Sequence, residues 1–375
     1  MKVIISPDSF KGTLTSLEAA QAIEKGIKQV NEDVETILMP VADGGEGTVD
    51  ALVLATNGHY VKTTVLDPLG REIEASFGVL ENRSTCVIEM ASASGIMLLH
   101  NNERNPHVAS SYGTGQLIKY ALDQGFRDFI ICIGGSATND AGVGMLRALG
   151  LRLLDRDGRD VQKNIDGLFD IRRLDFTNWD ARLADSKIAI ACDVDNPLVG
   201  EKGASAIFGP QKGVQEGEVM YFDQALTYFA DVVEKEKGIR LHDYKGAGAA
   251  GGMGGALIAF LNGEFQQGIQ LVLDVMKYGE KIQGADFVVT GEGKSDRQTL
   301  HGKAPYGVLE CAKEFGIQTV LLSGCIEESD KEQLAEHFQY IFSVAGDSIS
   351  TEKAMSEAAS SLTQKSYEVF QKLVN

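Results

Sequence analysis

Lys2-Val3-Ile4-Ile5-Ser6-Pro7-Asp8-Ser9-Phe10-Lys11-Gly12-Thr13 opens the chain, and its reading decides the fold. The apolar run predicts a short buried strand that stops at Pro7-Asp8. The loop behind it carries an acid, a lysine and a glycine. Thr15 and Glu18 then stand in the capping-box relation that starts a helix. Leu17, Ala20, Ile23, Ile27 and Val30 recur at helical spacing. Residues 34–41 predict a second strand with Pro40 at its end, Asp43-Gly44-Gly45 a turn, and residues 48–55 a second helix that stops at Asn57-Gly58. Strands alternating with helices argue for a parallel sheet.

The last ninety residues alternate in the same way. Strands are expected at 286–290, 318–322 and 340–344, and helices at 304–315, 331–337 and 351–373, with Gly316 ending the first of these. The middle differs. Residues 59–66, 73–80 and 85–90 read as three strands with short connections, hence antiparallel. Further strands are expected at 128–133 and 187–192, with helices around Gln116, Met145, Phe222 and Leu257. The expected fold class is therefore α/β. A doubly wound parallel-sheet domain is built from both termini (1–57 plus 285–375), and a mixed α/β domain (58–284) is inserted in it.

In the common strand order 2-1-3-4-5, the first and third strands are neighbours, and ligands bind where their loops diverge. That order would bring the 7–13 loop beside Gly291-Glu292-Gly293-Lys294-Ser295-Asp296. The expected active site is then in the cleft between the two domains.

Composition narrows the chemistry. Hydrophobic residues at 43% and charged residues at 23% exclude a disordered chain. A formal charge of −18, with no basic cluster, argues against a nucleic-acid groove or an anionic membrane surface as partner. Five widely spaced cysteines form no disulfide or zinc pattern, and the first residues are too short for a signal segment, so a cytoplasmic location is expected. Glycine numbers 42 in 375, about 11% against a usual ~7%, and the excess is clustered.

Gly134-Gly135-Ser136-Ala137-Thr138-Asn139-Asp140 follows an apolar strand and precedes a helix expected near Ala141, which is the recipe for an anion site; its plainer reading is a helix cap. The stretch 245–255, with Gly251 and Gly252, reads either as close helix packing or as a nucleotide or substrate lid. Asp8, Asp43, Asp193 and Asp195 fall at strand ends, where a magnesium ion bound with a nucleotide would find one or two carboxylates. His301 is read as an ordinary surface histidine.

These blocks resemble the bacterial glycerate kinases of type I. The similarity is carried by residues 6–13, by Ala42-Asp43-Gly44-Gly45-Glu46-Gly47-Thr48, by the 134–140 turn, by Gly248-Ala249-Ala250-Gly251-Gly252 and by residues 290–296, in order along nearly the whole chain. The resemblance implies a flavodoxin-like domain with a large insertion. It also implies ATP-dependent phosphorylation of D-glycerate at the 2-hydroxyl, giving 2-phosphoglycerate, with ATP and Mg²⁺ as cofactors. Phosphoryl transfer needs neutralised charge and in-line positioning. Lys11, Lys294 and Lys303 are the candidate cations, and Asp8, Asp43 and Asp193 the candidate acids. Asp43 or Asp193 serves as base or Mg²⁺ ligand, and Arg297 or Lys294 meets the glycerate carboxylate. Ser9, Gly134, Gly135, Ser136, Asn139, Gly251, Gly252, Glu292 and Asp296 complete the expected contacts. Alternatives are a nucleotide-responsive binding protein, or another small hydroxy-acid kinase or dehydrogenase on the same scaffold. The oligomeric state is left open, a homodimer included.

Overall fold

A computed structural model describes residues 1–81, 84–346 and 349–374. The chain divides into two compact units. The first comprises Met1–Asp43, Asp50–Thr56 and Gln267–Asn375, the second Gly44–Val49 and Asn57–Gln266.

The first unit holds five parallel strands. In chain order they are Lys2–Pro7, Glu35–Leu38, Phe287–Gly291, Gln318–Ser323 and Tyr340–Ser343, and they lie side by side as second, first, third, fourth, fifth. This is the doubly wound order expected from the alternation. The first and third strands pair from Val3 opposite Phe287 to Pro7 opposite Gly291, so their loops leave the same end of the sheet. The helix Ser16–Val30 starts on a complete capping box between Thr15 and Glu18. It packs against Ala358–Val374 with the backbones in close approach. A Cβ on Gly26 would lie 2.4 Å from the Thr363 carbonyl oxygen, and Ser366 Oγ donates to the Ile23 carbonyl at 2.9 Å. The apolar residues of both helices close over Val3, Ile5, Val289, Val320 and Leu322.

Two local expectations change. The second strand is shorter than 34–41, and the C-terminal helix is two helices, Thr351–Ser356 and Ala358–Val374. Glu357 leaves helical backbone between them (φ −117, ψ 37). Neither glycine nor proline marks that break, so the periodic pattern runs through it.

The second unit is built on a mixed six-stranded sheet. His59–Leu66, Glu72–Val79 and Thr85–Glu89 are antiparallel, as their short connections imply. Asp128–Cys132, Lys187–Ala191 and Glu264–Gln266 continue from the last of these in parallel. Its core gathers Phe77, Phe129, Ile131, Leu117, Phe222, Phe229 and Leu257.

The compact units also divide the chain differently from the expected 57/58 and 284/285 boundaries. The return crossing falls after Gln266 because Gly268–Val275 and Tyr278–Ile282 pack on Ala304–Glu314 of the first unit. Buried Tyr278 also donates its hydroxyl to Ser6 Oγ at 2.7 Å. Gly44–Val49 belongs to the second unit, where Val49 N donates to Glu89 Oε1 at 2.8 Å.

The contact at Gly26 gives a stability test. Gly26→Ala forces one helix backbone from the other and should cost a net ~1–3 kcal/mol, although alanine favours a helix by about 1 kcal/mol. Gly217, whose added Cβ meets nothing within 4 Å, should accept alanine within about 0.5 kcal/mol. Urea midpoints of the two variants check this; equal midpoints would remove the close approach.

Candidate active site

In the first unit, the loops after the first and third strands carry the charged residues. Asp8 is buried, its amide donates to the Gly291 carbonyl at 2.8 Å, and its Oδ1 accepts from Ser9 N at 2.6 Å. Burial pushes the Asp8 carboxyl well above the ordinary aspartate range, and the neighbouring charges of Asp43 and Glu292 push the same way. Lys11 opposes them. Glu292 is also buried and accepts from Thr299 Oγ1 at 2.6 Å, Ser295 Oγ at 3.1 Å and Lys303 Nζ at 3.5 Å. Burial raises its carboxyl too, against those donors. Lys11, exposed, and Asp43, half-buried, complete the group.

Three carboxylates with two lysines leave negative charge inside the protein. That surplus fits a divalent cation. Mg²⁺ in nucleotide sites takes one or two carboxylates and fills its remaining positions with phosphate oxygens and water. Asp43 and Asp8 are suited to that duty. Their oxygens are not gathered into a closed set of ligands; among the described residues the close triad is Asp231, Glu234 and His242. Glu234 and His242 there are already engaged by ion pairs with Arg240 and Asp231.

Other candidates in this unit are held elsewhere. Lys294 Nζ pairs with Glu327 Oε1 at 2.5 Å, which raises its own pKa. The Arg297 amide and guanidinium turn to Asp330. Asp296 caps the short helix Arg297–His301, accepting from Gln298 N at 2.8 Å. His301 is exposed. Lys11 and Lys303 are therefore the lysines nearest the buried carboxylates.

The second unit gathers the glycine motifs at one end of its sheet. Gly134–Asp140 follows Asp128–Cys132, Asp193 follows the adjacent Lys187–Ala191, and the Gly44-Gly45 loop lies against both. A Cβ on Gly44 would come 3.1 Å from Ala191, and one on Gly134 would come 2.8 Å from Gly45 Cα. Asp193 is exposed and belongs to a different unit from Asp43.

The helix expected after the turn offers no anion site. It is the short Val143–Ala148, and its first amides are taken. Asp140 accepts from Gly142 N and Gly144 N at 3.1 Å each, and Ser111 Oγ accepts from Met145 N at 3.0 Å. At that helix end the cap is the correct reading.

Gly251 and Gly252 are buried, which suits close packing. Gly251 has φ +69, accepts from Ala141 N at 2.9 Å, and lies so close that a Cβ would stand 2.1 Å from the Thr138 carbonyl oxygen. The 138–141 backbone can approach only because that position is glycine.

Two residues at this end escaped the sequence reading. Glu89 is a buried strand-end acid that holds the Gly44–Val49 loop. Lys212 is the last residue of the helix Ala204–Lys212, a place where lysine ordinarily complements the helix dipole in solvent. It is 2% exposed, and its ammonium donates to Ser136 Oγ at 2.8 Å and to the Thr138 carbonyl at 2.7 Å. No local signal in Gly209-Pro210-Gln211-Lys212-Gly213 distinguishes it.

Comparison with known proteins places this geometry. The sequence model of the Glycerate kinase family matches residues 3–374. The chain is 45% identical to glycerate kinase of Bacillus subtilis over 359 residues, covering 96% of this chain and 94% of that one. It is 45% identical to glycerate 2-kinase of Escherichia coli K12 over 328 residues, 88% and 86% of the two chains. A solved chain from Salmonella typhimurium LT2, assigned as glycerate kinase 2, superposes with a TM-score of 0.86 at 41% identity, covering 100% of this chain and 98% of that one.

The raised Asp8 carboxyl yields a pH test. A carboxyl whose folded pKa exceeds the ordinary 3.8 binds more protons in the folded state, so stability falls as pH rises from 3.8 through the folded pKa. Asp8→Asn removes that loss. The variant should be more stable than the parent at pH 8, with the gap closing towards pH 4. Urea midpoints across that range decide it; a variant weaker at pH 8 would mean the charge is compensated.

Proposed function

Because the chain belongs to the glycerate kinase family, we propose that it transfers the terminal phosphoryl group of ATP to the 2-hydroxyl of D-glycerate, giving ADP and 2-phosphoglycerate. The observation that carries this reading is the grouping of Asp8, Asp43 and Glu292 with Lys11 and Lys303 beyond the ends of three adjacent parallel strands. Ligands of doubly wound sheets bind at that switch point. The 2-hydroxyl is favoured by the name of the Escherichia coli relative.

In this reading the glycerate hydroxyl gives its proton to a carboxylate, its oxygen bonds to phosphorus, and the bond from phosphorus to the ADP oxygen breaks. Asp43 is the half-buried acid assigned to that proton or to the metal, and Asp193 is the second candidate for the same duties. Mg²⁺, when bound with the nucleotide, neutralises phosphate charge. Lys11 places a flexible exposed ammonium on the transferred group. Lys303 holds Glu292 and balances it. The glycerate carboxylate falls to Lys11, because Lys294 and Arg297 are paired elsewhere. Five free thiols fit a reducing, cytoplasmic setting.

ADP release coupled to D-glycerate, with the product identified by phosphorus NMR, tests the reaction. Phosphorus on the 3-oxygen would overturn the position of transfer, and no glycerate-dependent ADP would overturn the activity. Lys11→Ala should keep its melting temperature and lose about 10²-fold in kcat, the size of one lost charge contact in a transition state. Unchanged kinetics at saturating Mg²⁺ would remove Lys11 from the site.

A further inference from the structure

Lys212 is a buried lysine that makes no ion pair with a carboxylate among the described residues. Lysine is almost never fully buried unless paired. Its two hydrogen bonds go to neutral acceptors, Ser136 Oγ and the Thr138 carbonyl, and among the described residues it makes no ion pair. An ammonium has three donors, so one remains. Asp140 is the one charge acting on it, and that carboxylate already accepts from Ser111, Gly142 and Gly144. The neighbouring helix Ala249–Leu261 contains no charged residue, and no charge on Val219–Lys237 reaches the ammonium.

Through Ser136 and Thr138 the ammonium is attached to the glycine turn. Gly135 is exposed and Gly134 half-buried. Among the described residues, the amides of Gly134, Gly135 and Ser136 donate to no protein acceptor, whereas Ala137 N is used by the Ser94 carbonyl. The same turn holds two buried polar atoms without partners, Thr138 Oγ1 and Asn139 Oδ1. Three successive amides without a protein acceptor, in a turn bonded to a buried ammonium that makes no ion pair, form an arrangement that an anion completes.

We propose that Lys212 is the buried counter-charge of an anion site on the 134–136 turn, and that an anion binding there holds Lys212 in its charged form. The anion is an oxyanion of the substrates, a carboxylate or a phosphate; its identity rests on the kinase reading above. Lys212 acts through the turn and is a positioning residue. It fixes Ser136 and the Thr138 carbonyl, and it adds positive potential through a medium where charge is poorly screened. Burial pushes the free Lys212 ammonium down to about 7. A bound anion favours the charged form, so binding above pH 7 takes one proton from the buffer onto the Nζ lone pair.

KM values for D-glycerate and for ATP, measured from pH 6 to 9, separate the two sources. One of them should rise by up to tenfold per unit above pH 7, and the one that rises names the anion. Lys212→Met should raise that KM about tenfold or more at pH 6.5, flatten its pH dependence and leave the other KM in place. Lys212→Arg, charged throughout, should keep the affinity and lose the pH dependence. A melting-temperature change without any change in KM would overturn the proposal and leave Lys212 a packing residue. Should the variants fail to fold, calorimetry of the parent at pH 8 in two buffers of different ionisation enthalpy reads the proton directly, with sulfate as the probe. Uptake supports the site, and none overturns it. That readout stands apart from turnover: no glycerate-dependent ADP overturns the kinase reading, whereas no proton uptake overturns this role of Lys212.

Discussion

The pairing of Lys2–Pro7 with Phe287–Gly291 is the constraint on which the first unit depends. It joins strands almost three hundred residues apart, and side chains reinforce it. Thr290 Oγ1 donates to the Ser6 carbonyl at 2.9 Å, Lys2 N donates to Asp286 Oδ2 at 2.7 Å, and Asp8 N caps the ladder on the Gly291 carbonyl. Closing so long a loop is costly in entropy, though the cost grows only slowly with length. Once it is closed, the two following loops must leave the sheet at one end. Asp8 and Glu292 become neighbours for that reason alone, and their mutual repulsion in a buried setting is a direct consequence of strand register.

That repulsion favours a cation between the carboxylates, which matters for an acidic chain whose proposed substrates are anions. With a net charge of −18, the long-range field works against the anionic substrates proposed for it. Recruitment then has to be local. The first unit concentrates carboxylates that favour a divalent cation, and the cation in turn favours phosphate. In the second unit the proposed answer is a turn of backbone amides with one buried lysine against it. Its helix terminus is not available, since Asp140 and Ser111 occupy those amides.

Glycine serves two different ends in these loops. At Gly251 and Gly252 it lets one turn lie against the 138–141 backbone, where any side chain would collide. At Gly135 it leaves an exposed amide uncovered. The two uses look alike as a string of residues, and they differ only in what stands opposite.

The sequence by itself determined the alternation of strands and helices, the antiparallel opening of the second unit, the capping box at Thr15, and the loops in which function should be sought. Each of those is written in short-range periodicity and turn chemistry, which the chain carries whatever its tertiary neighbours. The tertiary structure alone decided the rest. Tyr278 and the helices around it drew Gln267–Gly284 into the first unit, and Lys294 and Arg297 turned to acids 33 residues away. Lys212, at a helix end where solvent would be the ordinary expectation, lies buried under a turn some 74 residues earlier. Burial and charge pairing are sums over neighbours distant in the chain, and no local pattern contains them.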